Sequence, residues 1–261
     1  MRTRELARII GVACCGALIA GCSHSGKSTP AVGQVREPAV AVFQVDAATA
    51  GSISGVIRYA GHRPAPKLVD MSNDPACVEA HHGKAFDESV LVSPKGLLEN
   101  AFAYVKTGLE GKHFATPTSA VVIDQAGCWF KPRILGIQTN QVFQVVNSDP
   151  VTHNIHPMAM TNREWNHSQG AGDPPLIRKF IKPEVMIPVK CNIHSWMHAY
   201  IGVLEHPYFA VSQADGTFTI PNLPPGTYTI GIWQEKLGTL EQQVTVAPHA
   251  NAQMNVVFKG K

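Results

Sequence analysis

Between Val189 and Tyr200, one thiol, one thioether and two imidazoles fall within eight residues: Cys191, His194, Met197 and His198. Thiolate sulfur and neutral imidazole nitrogen are soft to borderline donors, and with a weak thioether they suit copper better than calcium or magnesium. The spacing Cys191-x2-His194-x2-Met197 lets a tight loop between two strands of a sandwich turn all three side chains towards one point. A second imidazole is still needed. The best supplier is the stretch from Asn147 to His156, which follows the strand-like run Val142 to Val146. In extended chain His153 and His156 face opposite sides, because side chains alternate with period two, so only one of them readily faces the metal.

The other donors near these stretches have plainer readings. His198 in place of Met197 makes a set of one cysteine and three histidines, which zinc accepts tetrahedrally. His156 reads as a hydrogen-bonded neighbour or a ring near the surface, and Met158 and Met160 as packing for the ligand loops or an aid to copper capture. His167 lies beside Trp165 and Asn166 in a polar stretch, and His81 and His82 read as a solvated loop pair. Trp196, between two ligands, is either core or part of a docking surface. A lone cysteine is most often an inert buried one. Here His194 and Met197 stand in register with it, and a separate His-Asn-x-His follows a strand. The chain has no Cys-x-x-Cys-His for haem, no Gly-rich phosphate loop after a strand, no Gly-x-Ser-x-Gly turn and no carboxylate pair marked by spacing. No substrate chemistry is expected, so the chain reads as a carrier and not an enzyme.

The elements that must position these donors are short and β-rich: Ala120 to Asp124, Trp129 to Ile137, Val142 to Val146, Val185 to Val189 and Tyr200 to Leu204. Their spacing and intervening turns predict a small sandwich. Pro188 predicts that its strand is at an edge or bulged. Residues 162–183 are polar and punctuated by Gly and Pro, which predicts a long loop, and 70–88 reads as an irregular loop. Outside this region, Gly51 to Gly61 alternates as a strand, Arg63 to Pro66 is a Pro-rich turn, and Asn100 to Lys106 is a further strand. Near the end, Asp215-Gly216 and Pro224-Pro225-Gly226 mark turns around Phe218 and Ile220, with Tyr228 and Ile230 opening the next strand.

The two donor stretches resemble the cupredoxins, the blue copper proteins, and most closely the amicyanin-like group. The resemblance implies that His153, Cys191 and His194 are the strong ligands of one copper ion and Met197 a long axial one. Asn154 falls at the position whose side chain ties the two ligand loops together in that family. An apolar patch around the ring edge of His194 is then the expected exit route for the electron. The segment Ala214 to Ile230 resembles a carboxypeptidase-regulatory-like domain, a transthyretin-type sandwich. The implied fold class is all-β: a cupredoxin-like Greek-key sandwich at 119–206 and a second, transthyretin-like β-sandwich built from 51–118 and 207–261. Insertion of one into the other is favoured because the terminal piece alone has few strands for a closed core; two domains in succession is the alternative.

The first residues carry Arg2, Arg4 and Arg8, then an apolar stretch from Ile9 to Ile19 too short to span a bilayer, then Ile19-Ala-Gly-Cys22. This reads as a lipoprotein signal peptide over 1–21 with lipid on Cys22, or an ordinary secretory signal with a chance cysteine. Ser23 after the cysteine, by resemblance to Gram-negative lipoproteins, points to the periplasmic face of the outer membrane. Residues 22–50, rich in Ser, Gly, Pro, Ala and Val, read as a tether. Loss of Arg2, Arg4, Arg8 and Glu5 with the signal takes the formal charge from +3 to +1, and nothing in it suggests nucleic acid.

Of the six cysteines, Cys14 and Cys15 leave with the signal and Cys22 carries lipid. In an oxidising compartment Cys77 and Cys128 are then expected to form a disulfide. Cys191 is the odd thiol, an oxidation liability unless a metal protects it. A bond from either of the others to Cys191 is the competing pairing and would destroy the site. The implied function is single-electron transfer, met by c-type cytochromes or a copper or quinone-linked enzyme through weak contacts. Copper storage or delivery, and a metal-stapled adhesion or scaffold module, are the alternatives.

Overall fold

The structure, a computed structural model, describes residues 41–260. The expected signal peptide, the expected lipidation at Cys22 and the expected tether up to residue 40 lie outside the described residues. After a turn capped by Asp46, β1 (Gly51–Ala60) is followed by β2 (Leu68–Val69), α1 (Pro75–Ala80), β3 (Ala85–Phe86) and β4 (Phe102–Thr107). Next come β5 (Val121–Gln125), β6 (Phe130–Lys131), β7 (Ile134–Gln138), β8 (Phe143–Asn147) and β9 (His153–Pro157). They continue into β10 (His167–Gln169), β11 (Leu176–Arg178), β12 (Glu184–Lys190) and β13 (His198–Leu204). The chain closes with β14 (Phe209–Val211), β15 (Thr217–Leu223), β16 (Gly226–Gln234), β17 (Gly238–Val246), β18 (Asn251–Gln253) and β19 (Val256–Lys259).

Two sheets, β10-β9-β12-β13-β7 and β11-β8-β5-β6, face each other over one core that includes Ile123, Phe143, Val145, Ile155, Phe180 and Ile201. A second pair, β15-β1-β18 with β19 on β1, and β14-β4-β16-β17, encloses another core around Ile53, Ile57, Phe218, Ile220, Tyr228 and Phe258. Alternation explains the second pair: in β1 every other residue from Gly51 to Ile57 is buried, and β19 alternates strictly.

The two sandwiches are fastened together by large rings against missing side chains. A Cβ on Gly202 of β13 would come within 2.5 Å of the Phe102 ring, and Phe209 lies as closely over Gly136 of β7. Phe102, Tyr104, Ile134, Met186 and Leu204 form a small apolar seam at this junction. Beside it Arg133 donates to both oxygens of Glu235 at 2.9 and 3.0 Å, with 7% and 3% of the two side chains exposed.

Three expectations are corrected, and a fourth is met by one of its two alternatives. Segment 70–88 holds α1, because Asp74 caps it by accepting from the amides of Ala76 and Cys77 and Pro75 starts it. Segment 162–183 holds β10 and β11, three-residue strands without an apolar pattern, held by backbone pairing to β9 and β8. Of the two alternatives for the Pro188 strand the bulge is the one found: β12 lies between β9 and β13, not at an edge, and is bulged between Glu184 and Ile187 with Met186 at φ 62°. Its carbonyl accepts from Met158 N at 2.8 Å, just past the last β9 pair, so the ladder bond that proline lacks falls where that pairing stops. Finally, the tether does not extend to residue 50. Phe43 packs edge-on to Phe114, and its amide donates to His113.

Candidate metal centre

The site forms where β9 begins and β12 ends. These strands pair antiparallel with Lys190 opposite His156, so Cys191, one residue further, comes beside the start of β9. Residues 191–197 then turn back into β13, closed by Cys191 N donating to Met197 O at 3.2 Å and Met197 N to His194 O at 3.0 Å. Donor atoms of His153, Cys191 and His194 lie within 4.8 Å of one another, and all three residues are buried. Met197 is fully buried in the same core.

Asn154 ties the two loops together. Its Oδ1 accepts from the amides of Asn192 at 2.7 Å and Ile193 at 3.3 Å and from the Cys191 thiol at 3.3 Å. Its Nδ2 donates to Asn166 Oδ1 at 2.7 Å. The Cys191 sulfur accepts from the amides of His194 at 3.3 Å and Asn154 at 3.5 Å. Burial opposes the thiolate, but hydrogen bonds from His153 and from the Asn154 and His194 amides outweigh it and hold the thiol below its ordinary range.

Both imidazoles are held from outside by carboxylates. His153 Nε2 is 2.8 Å from Asp149 Oδ2, and His194 Nε2 is 3.1 Å from Asp74 Oδ2. With both Nε2 atoms donating, both Nδ1 atoms present lone pairs, and these face each other at 2.8 Å. Two lone pairs at that distance need a cation between them, either a proton or a metal. Nitrogens bound to one ion at about 2.0 Å each stand roughly 3 Å apart. In the absence of metal, burial disfavours charge on His153, but the hydrogen bonds it donates to Asp149 and Cys191 prevail and raise its pKa to about 9. Partial burial opposes the ionisation of Asp149 and Asp74, yet their histidine and amide donors keep them below the usual carboxylate range.

The Cys77–Cys128 disulfide is formed and links the two supports. Asp149 accepts from the amides of Gly127 and Cys128, at 2.6 and 2.7 Å, and Asp74 from that of Cys77. Cys191 remains a free, buried thiol.

The expected exit route at His194 needs correction. Its residue is 3% exposed, because Asp74 and α1 cover its outer edge and the tilted Trp196 ring lies 5.1 Å from it. His198 is exposed and stands outside the converging donors. His156 binds Glu164, and Met160 is 95% exposed. His167 pairs with Ile155 in β10, away from the donors. His81 is not simply solvated: its Nε2 is 2.6 Å from Gly127 O and its ring meets Trp129 edge-on, while His82 is exposed. Asp74 and Asp149 were missed by sequence reasoning. Asp149 lies four residues before His153 and could have been noticed; Asp74 lies 120 residues from His194 and could not.

The family described as polysaccharide lyase family 4, domain II, matches residues 194–254. No curated protein matches the chain by sequence. Among solved structures, a copper-containing nitrite reductase (NirK) from Thermus scotoductus SA-01 is 21% identical at a TM-score of 0.32. That match covers 40% of this chain and only 25% of the reductase. An oxidised amicyanin mutant is 17% identical at a TM-score of 0.30, over 39% of this chain and 97% of its own. A purple cupredoxin from Nitrosopumilus maritimus is 19% identical at 0.27, over 32% and 98%. Likenesses of this size carry no argument about chemistry. The chain is an all-β protein built from two β-sandwiches.

Proposed function

We propose that this chain is a mononuclear type 1 copper protein that carries single electrons. The observation that carries the reading is the pair of Nδ1 atoms facing each other beside the Cys191 sulfur, each ring locked from behind by an aspartate. His153, His194 and Cys191 would hold the ion, with the buried Met197 as the weak axial donor. Copper bound there supplies one-electron exchange between Cu(I) and Cu(II), which a thiolate and two imidazoles with a weak thioether both suit. The protein's part is to keep those donors still. Asn154 holds the Cys191 loop against β9, the two aspartates fix the tautomer and orientation of the rings, and the apolar core excludes water.

The reading includes lipid anchoring through Cys22 at the periplasmic face of the outer membrane and a redox protein, such as a c-type cytochrome or copper enzyme, as partner. The experiment is an optical and paramagnetic-resonance spectrum of the Cu(II)-loaded protein beside its Cys191→Ser variant. An intense visible thiolate-to-copper band with narrow hyperfine splitting, bleached by reductant and lost in the variant, is expected. A colourless protein, or a spectrum indifferent to Cys191→Ser, would overturn it.

A further inference from the structure

A cleft of about 400 Å³ opens between the two sandwiches directly behind the ligand loop. Ser195, Trp196 and His198 of that loop line one side, and residues around Lys236 of the second sandwich line the other. Its volume is in the range of pockets for small molecules.

Three aromatic side chains, Trp129, Trp196 and Tyr200, face the cleft. Trp196 is rigidly set, with Nε1 donating to Cys128 O at 3.2 Å and its ring against His194. The polar groups come in balanced pairs. Arg133 and Glu235 neutralise each other, and Lys67 and Lys236 are matched by Asp70 and Asp87. Asp70 and Asp87 each accept at Oδ1 from the amide of a serine two residues on, and the same serine's hydroxyl also helps hold each carboxylate ionised.

We propose that this cleft binds a neutral hydroxylated aromatic ring and is the port through which electrons reach the metal centre. The inference rests on the copper reading above. The usual route is shut, since Asp74 covers the His194 edge, while the neighbouring Trp196 ring bridges His194 and the cleft. Aromatic walls suit a flat ring. Carboxylate acceptors beside ammonium donors suit hydroxyl groups, which both donate and accept, and the cancelling charges suit a neutral ligand. A dihydroxybenzene held there gives one electron, by way of Trp196 and His194, to the oxidised centre and one proton to water. It leaves as the ring oxidised by one electron, and the centre is reduced by one.

The test uses hydroquinone as probe in two arms. In the first, the metal-free full chain is titrated and followed by two-dimensional amide NMR. Shifts confined to Lys67–Asp70, Ser195–Tyr200 and Glu235–Lys236 are expected; their absence overturns the cleft, whatever metal the protein holds. In the second, the rate at which hydroquinone bleaches the copper-loaded protein is measured against its concentration. Saturation is expected. Leu68→Trp, which fills the mouth, should slow bleaching at least tenfold and leave the visible spectrum of the copper-loaded protein unchanged. A rate that stays linear in concentration and identical in the variant would mean chance collision and overturn the proposal. A colourless protein that still shows the NMR shifts would fail the copper reading and the port while leaving the cleft's ligand class standing.

Discussion

Asp74 Oδ2 lies 3.1 Å from His194 Nε2, while Asp74 Oδ1 caps the helix that carries Cys77. One carboxylate therefore joins a histidine of the metal centre to an element 120 residues away in sequence. A negative charge so close favours the more positive oxidation state of the centre. Asp74→Asn keeps a good helix cap and removes the charge. The reduction potential of the copper-loaded protein should rise by about 60 mV, a tenfold change for a one-electron couple. Spectroelectrochemical titration of both proteins checks it, and an unchanged potential would count against any electrostatic role for Asp74.

Asn154→Ala should loosen the ligand loop. Its Oδ1 accepts from the amides of Asn192 and Ile193, and removing it leaves at least one part-buried N–H without a partner. A loss of about 2 kcal/mol in unfolding free energy is expected, together with faster release of copper to a chelator. Urea unfolding followed by circular dichroism and stopped-flow metal transfer measure the two effects separately.

Replacing Cys77 and Cys128 together by serine removes a cross-link across a sequence separation of 51. The stabilisation lost is about 3 kcal/mol, chiefly because the unfolded chain regains freedom. The same change frees α1 and the 127–128 turn, which support Asp74 and Asp149. The double variant should therefore show a broadened distribution of copper environments in its paramagnetic-resonance spectrum, and not only a lower unfolding midpoint.

His206 sets an acid limit on stability away from the metal centre. Burial is the main reason that its pKa falls to about 4, although its bond to the Val105 carbonyl favours the protonated ring. Nδ1 accepts from the Tyr208 amide at 3.2 Å, so protonation there breaks a bond. The folded pKa lies below the unfolded one, so the unfolded state binds the proton first. Stability from this group is intact above about pH 6.5 and is lost as pH falls towards 4. The loss is up to about 3 kcal/mol. Unfolding of wild type and His206→Gln between pH 7.5 and about 4 checks this: the variant should lose less stability on acidification.

Much of the metal centre was legible because its donors lie in two short runs. The x2 spacings around Cys191 sit in one loop, and the strand before Asn147 is marked by alternating apolar residues. The covered ring edge was not legible, since α1 is six residues long and its cap is an Asp-Pro pair inside a stretch without apolar period. Strands β10 and β11 escaped for a related reason: edge pairing uses backbone groups that every residue carries.

The sequence by itself determined the cluster of soft donors in two short runs and the β-rich character of both halves, because these follow from residue type and short spacing. That Cys77 pairs with Cys128 and leaves Cys191 free came from the structure. The tertiary structure alone decided which way the imidazoles face and what lies outside them. Asp74 and the Trp196 cleft meet the site only when chain segments far apart are packed together. Hydrogen bonds and charges act over a few ångströms in space and leave no period in the sequence.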